Sequence, residues 1–350
     1  MNSKNMIQLI SISLIAFITI TCYDSSVNPQ GKVYTPGPRN YTWKIYSLNE
    51  NAPFNHYTKI WGSEPNNIWI VGSAGDFDKT ILRFNGQNVT PYGSLSINPT
   101  AVYGFSNNDV WFAGQNFDMW RYNGSTISKF STHQIDSFAV SFFGDIWGTD
   151  DYNVFAVGSA THKYSGAIRS IIMHFDGSNW THIIEPESPI HFVNIRRGIT
   201  DPKFFLMGYK IQPNILDSTF FYEFDGKNFK SIDVGFSTNP IAKSISLLDG
   251  ITYFINGKEM YKSINGLINH YTSFQNSNVT GVKIWGRTEK DFFIQTQDGI
   301  GHYNGTDVLN LYDIIGDFGI LDGLVLENDV YFVGFFRDTL KYFLIHGILQ

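Results

Sequence analysis

Lys59–Gly72 reads KIWGSEPNNIWIVG, Ala101–Gly114 reads AVYGFSNNDVWFAG, and Asp145–Gly158 reads DIWGTDDYNVFAVG. In each stretch two glycines stand ten residues apart, at 62 and 72, 104 and 114, 148 and 158. IRRGITDPKFFLMG keeps that spacing at Gly198 and Gly208. Three further copies have lost one or both glycines: SISLLDGITYFING ending at Gly257, KIWGRTEKDFFIQT with Gly286, and DGLVLENDVYFVG ending at Gly334. Self-similarity at about 42 residues is the mark of a repeat architecture.

A second motif follows the first six copies: Asn85-Gly86, Asn123-Gly124, Asp176-Gly177, Asp225-Gly226, Asn265-Gly266 and Asn304-Gly305. Asn-Gly or Asp-Gly between strand-like runs predicts a hairpin with a type I′ turn, which needs positive φ at both central residues. One unit then reads as four strands. The first ends near Trp-Gly. A polar turn follows. The second, such as Ile68–Val71, is continuously apolar, as a strand buried on both faces must be. Thr80–Phe84 forms the third, and Asn88–Tyr92 leaves the Asn-Gly turn as the fourth. Four antiparallel strands in about 42 residues make a propeller blade. The seventh unit, Leu321–Gln350, ends after its third strand, while Asn40–Leu48 is an orphan strand ahead of the first. The expectation is an all-β, seven-bladed propeller of four-stranded antiparallel blades, with the N-terminal strand completing the last blade so that no sheet edge stays open.

Composition agrees. Aromatic residues make up 16% of the 350, with 30 Phe, 19 Tyr and 8 Trp, and Gly numbers 32. Flat, large side chains suit half-buried pleated surfaces, and glycines suit frequent turns. Charged residues are only 16% and the net charge is −6. That excludes a basic nucleic-acid footprint.

The Trp-Gly, Val-Gly and Asn-Gly repeat resembles bacterial WG-repeat β-propeller lipoproteins. It is also similar to the sensor-type propellers of two-component regulators and to photosystem-assembly-type propellers. The resemblance covers residues 41–350 and is clearest in the first three units. It implies a propeller, and it leaves function open because propellers host enzymes and binding platforms alike.

The N-terminus reads as an export signal, residues 1–21: Lys4 gives a positive start and Met6–Ile20 an apolar segment. The one cysteine, Cys22, follows directly, and Thr19-Ile20-Thr21-Cys22 resembles a lipobox, with Thr where Leu is usual. Lipidation at Cys22 is expected, followed over residues 22–40 by a Pro-, Gly- and Ser-rich tether. The implied location is the outer membrane or cell surface, with the membrane reached through the lipid alone.

Site residues are sought where loop length varies, because binding groups sit on variable loops carried by a rigid scaffold. The interval from the second glycine to the Asn-Gly turn runs from 9 residues (Gly257 to Gly266) to 19 (Gly158 to Gly177). The third and fourth units have the longest loops. Ser159–Ser170 and Tyr209–Thr219 offer His162, Lys163, Tyr164, Arg169, Tyr209, Lys210 and Gln212, a basic and aromatic set suited to a glycan or peptide. Trp61, Trp147 and Trp285 recur at one repeat position and are read as blade-to-blade packing. Arg83, Arg121, His174, Glu223, Ser263 and His302 precede the Asn-Gly aromatic and are read as surface-facing, not as a metal cluster. No catalytic elbow, phosphate loop or zinc-binding helix motif occurs, so no cofactor and no catalytic residue is assigned. The functional reading is a monomeric, non-catalytic platform binding protein, peptide or glycan. The alternative is a glycan-processing enzyme with acidic residues near the propeller axis.

Overall fold

The computed structural model describes residues 31–50, 52–93, 97–133, 137–184, 189–210, 218–235, 242–275 and 277–350. Cys22, the export signal and Gln212 lie outside them. Contacts divide the chain into Met1–Tyr34 and Thr35–Gln350; the architecture below belongs to the second unit.

Seven antiparallel sheets, each of four strands, follow one another along the chain. The chain is a seven-bladed β-propeller. The first strands of blades 1 to 7 are Asn55–Glu64, Pro99–Ser106, Phe138–Asp150, Ile190–Arg196, Lys243–Leu248, Val279–Thr288 and Phe318–Val325. Blade 7 takes its second and third strands from Asp329–Phe336 and Lys341–Leu349. Its fourth is the N-terminal strand Tyr41–Ser47, paired in register from Tyr41 opposite Leu349 to Ser47 opposite Phe343. Gln350 donates its N–H to the Asn40 carbonyl at 2.8 Å, extending the seam by one more bond. The ring closes as the orphan strand requires.

The stretch read as a tether is pinned at its far end. Gly37 donates its N–H to the Lys290 carbonyl at 2.8 Å. Arg39 donates to the His302 carbonyl at 3.0 Å and pairs with Asp307 at 3.0 Å, so residues 37–39 lie on blade 6.

Apolar second strands explain where the core sits. Ile251–Asn256 is buried at every position, so both faces need partners. Each sheet gives one face to the blade before it and one to the blade after. Trp111 of blade 2 meets Phe175 and Trp180 of blade 3, with ring centroids 4.9 and 5.4 Å away. Phe155 of blade 3 meets Phe204 of blade 4 at 4.6 Å. Such pairs add about 0.5–1.5 kcal/mol each beyond area burial.

The Asn-Gly turns differ from expectation. Only Asn265-Gly266 has positive φ at both residues, 53° and 78°, as a type I′ turn demands. Elsewhere the glycine alone is left-handed, and the residue before it caps the loop with its side chain. Asn85 Oδ1 accepts the N–H groups of Gln87 and Asn88 at 3.0 and 2.8 Å. Asp176 does the same for Ser178 and Asn179, at 2.9 and 2.8 Å. These are four-residue loops closed by an Asx cap, so Asn and Asp are chosen for their side-chain acceptor as well as for tolerance of the turn. Those backbone bonds hold the Asp176 and Asp225 carboxyls below the usual range.

Candidate functional site

Six of the seven first strands carry a β-bulge. Register slips between Tyr57 and Lys59, Pro99 and Ala101, Phe143 and Asp145, Phe192 and Asn194, Val279 and Ile284, and Ile320 and Asp322. Blade 5 runs straight from Lys243 to Leu248. A bulge bends its strand and re-aims the side chain beside it. Here Lys59, Asp145, Asn194, Lys283 and Asp322 are brought to an axial cavity of ≈ 550 Å³ lined by all seven first strands. Trp61, Tyr103, Trp147 and Trp285 supply apolar wall.

In blades 1 and 3 the bulge also explains the second glycine of the repeat. A Cβ on Gly72 would stand 1.9 Å from the His56 carbonyl oxygen, and one on Gly158 2.0 Å from that of Phe142. The displaced backbone occupies the space of a side chain. The first glycine answers to a different neighbour. A Cβ on Gly104 would meet the Trp61 ring of blade 1 at 2.6 Å; Gly323 of blade 7, at a different position of the repeat, would in the same way meet the Trp285 ring of blade 6 at 2.9 Å. The repeat tryptophans therefore pack blade to blade, and their edges also face the cavity.

The charges in the cavity are unequally committed. Asp145 is buried; it forms an ion pair with Arg196 and accepts Asn194 Nδ2 at 3.2 Å and the Ile195 N–H at 3.1 Å. Asp322 accepts Trp285 Nε1 and the Ile60 N–H, both at 3.3 Å. Lys283 Nζ donates to the Leu321 carbonyl at 2.6 Å. Burial pushes the Lys283 ammonium down to about 8; Asp322 opposes the shift and Lys59 adds to it. Lys59 itself has no hydrogen bond or ion pair among the described residues.

Next to this ring stands His191, at the start of the blade 4 first strand. Its Nδ1 lies 2.8 Å from Ser159 Oγ of blade 3, and its ring 5.1 Å from that of Tyr209. Burial, then the Lys59 charge, pushes it down to about 4. Between pH 6.5 and 4 the unfolded chain takes up a proton that the folded chain refuses, so stability falls as the pH falls through this window. The loss is on the order of 2 kcal/mol, and His191→Gln is expected to flatten that acid limb in urea titrations run from pH 7 to 4. An unchanged limb would rule His191 out as its source.

The described residues expected to bind fall at the ends of strands and in the turn between them in blades 3 and 4. His162, Lys163 and Tyr164 share one turn, which Gly166 closes by donating its N–H to the His162 carbonyl at 2.9 Å. Lys163 Nζ lies 5.5 Å from the Tyr164 ring centroid, and Tyr164 is 80% exposed. Arg169 lies on the following strand, opposite Ala160. Tyr209 and Lys210 end the second strand of blade 4, with Tyr209 beside His191.

The third-strand series needs correcting. His302 is fully buried and Ser263 is 1% exposed, so these are not surface positions. Each member but Ser263 latches to the segment that opens the second strand of its own blade; Ser263, on blade 5, reaches across to Asp201 of blade 4. Arg83 donates to Asn67 at 3.0 Å, Arg121 to Asp109 at 2.7 and 2.8 Å, and Ser263 to Asp201 at 2.6 Å. His174 pairs with Asn153 at 2.7 Å, Glu223 with Lys203 at 2.8 Å and His302 with Asp291 at 2.8 Å. His346 with Asp329, at 2.6 Å, completes the set in blade 7.

The axial charges escaped the reading of the sequence, although a signal was there. Lys59, Asp145 and Lys283 each stand directly before Ile-Trp-Gly, a charge at the head of an otherwise apolar strand.

No protein-family model matches the chain, and no curated protein matches it in sequence. Solved structures do match in fold. The structure of YCF48 bound to D1 peptide has 14% identity and a TM-score of 0.59, covering 91% of this chain and 100% of that one. A streptogramin B lyase has 15% identity and a TM-score of 0.57, covering 87% and 97%. A catalytically inactive virginiamycin B lyase from Staphylococcus aureus with quinupristin has 14% identity and a TM-score of 0.57, covering 88% and 100%. At such identities the likeness is one of fold.

Proposed function

We propose that this chain is a non-catalytic binding platform of the cell envelope. It is exported, lipid-anchored at Cys22 at the outer membrane or cell surface, and receives a protein, peptide or glycan over its axial cavity and variable face. One observation carries the choice of binding over catalysis: both cavity carboxylates are already engaged. A glycosidase pair needs one carboxyl kept protonated and the other free to attack or to activate water. Asp145 faces Arg196 and two N–H donors, and Asp322 accepts two more. YCF48, a neighbour in fold, is described with a bound peptide, which supports the binding reading; the lyases show that the fold also serves enzymes.

The test uses the full-length protein in detergent as bait for envelope extracts and on a glycan array. Capture of a partner without turnover of envelope glycans is expected, and replacing residues 159–170 should weaken that capture. Turnover that Asp322→Asn abolishes would overturn the reading. Cys22→Ser should move the protein from the membrane fraction to the soluble one; unchanged fractionation would reject the anchor.

A further inference from the structure

The axial cavity carries an unmatched positive charge. Lys59, Arg196 and Lys283 line it against Asp145 and Asp322. Arg196 is taken by Asp145. Asp322 is held by Trp285 and by the backbone of Ile60, and its charge acts on Lys283. Lys59 is left over, half-buried and without a hydrogen bond or ion pair among the described residues. This local excess stands in a chain of net charge −6, so it is a property of the cavity and not of the surface at large.

The Lys59 side chain lines the cavity with no carboxylate paired to it among the described residues. Lys59 also burdens its neighbours: it disfavours the charged forms of both Lys283 and His191, which stand on blades 6 and 4. These groups feel one another because the bulges turn Lys59 and Lys283 toward the same space. A single anion placed there would relieve both repulsions. The tryptophan walls lower the local dielectric and strengthen the attraction.

Resting on the platform reading, we propose that the axial cavity is a carboxylate receptor, in which Lys59, backed by Lys283, holds an acidic group of the bound ligand. The acidic group is a chain terminus or an acidic side chain. Arg196 and Asp145 serve as a fixed pair that keeps a second anion out, and Asp322 rejects any approach from its own side of the ring.

The full-length protein is titrated with glutarate, with its diamide glutaramide and with inorganic phosphate, and tryptophan emission is followed. Saturation by glutarate is expected, with phosphate weaker and glutaramide silent. Lys59→Met, which keeps the stem and removes the charge, should weaken glutarate binding about tenfold or more, and Lys59→Arg should restore it. Affinity should fall as the pH rises past about 8, where Lys283 gives up its proton facing Lys59, Asp322, Asp145 and Arg196. Unchanged circular dichroism and unfolding midpoints in both variants guard against a folding defect. No saturation by glutarate, equal binding of glutaramide, tighter binding of phosphate, or Lys59→Met binding like the parent would each overturn the proposal. Partner capture that persists while glutarate fails to bind sinks the receptor and spares the platform; no capture of any partner or glycan sinks the platform itself.

Discussion

Glu289→Ala is expected to cost about 4 kcal/mol of folding stability, because it removes the counter-charge of a buried lysine. Glu289 is 1% exposed and lies in the turn between the first two strands of blade 6. Its Oε2 accepts Lys262 Nζ at 3.0 Å and the Tyr253 hydroxyl at 2.8 Å, both from blade 5. Lys262 also lies 4.9 Å from the Tyr271 ring centroid. The group is thus a polar bolt through the blade 5–6 interface, inside an otherwise aromatic wall. Removing the carboxylate leaves a buried ammonium in place with the Glu289 counter-charge gone. Replacing both partners is a different matter. Glu289 Oε1 is buried without a partner, so the native pair already carries an unsatisfied acceptor. Glu289→Leu combined with Lys262→Met should therefore lie within about 1 kcal/mol of the parent. Urea unfolding of the two singles and the double gives the coupling directly. A Glu289→Ala cost below about 1 kcal/mol would show that the interface stays wet or relaxes, against the burial described here.

Much of the architecture was legible because it repeats. Seven copies of one strand pattern predict seven blades, and Tyr41–Ser47 was readable as the closing strand because blade 7 ran out of chain. The tryptophan positions were readable for the same reason: a residue kept at one repeat site, beside a glycine on the next blade, has a packing role. What failed to show was whatever depends on convergence across the ring. Lys59, Asp145, Lys283 and Asp322 lie far apart in sequence, and a strand alternating every second residue would give no reason to turn them to one axis. The break in register does so, and it marks the sequence only faintly, by the charge before Ile-Trp-Gly and, in blades 1 and 3, by the glycine opposite. The third-strand latches were missed for a related reason. His302 looks like an exposed strand residue until Asp291, eleven positions earlier, is seen folded against it at 2.8 Å. Turn geometry was misread because Asn and Asp before Gly satisfy two mechanisms, positive φ and an Asx cap, and the dipeptide alone does not separate them.

Gly158→Ala is expected to cost about 3 kcal/mol or more, while the same change at Gly114 should cost almost nothing. The sequence makes the two glycines equivalent, since each ends the second run of its repeat. The structure does not. A Cβ on Gly158 would lie 2.0 Å from the Phe142 carbonyl oxygen and 2.8 Å from the Phe143 Cα, both rigid backbone at the bulge. Relief requires flattening the bulge or parting the first two strands of blade 3. On Gly114 the nearest atoms would be the Asn98 and Asp118 carbonyl oxygens at 3.5 Å, ordinary contact. Its φ of −105° suits alanine, and loss of glycine's freedom in the unfolded chain favours folding by about 0.4–1 kcal/mol. Gly114→Ala should therefore be neutral or slightly stabilising. A second consequence separates the two sites functionally. The bulge across from Gly158 aims Asp145 at Arg196, so Gly158→Ala should also loosen that pair and disturb tryptophan emission from the axial cavity, even under conditions where the variant remains folded. Gly114→Ala, facing a bulge that delivers only Ala101, should leave the emission unchanged. Equal costs at the two positions would mean that the repeated glycine serves turn entropy, and that the bulge does not shape the site.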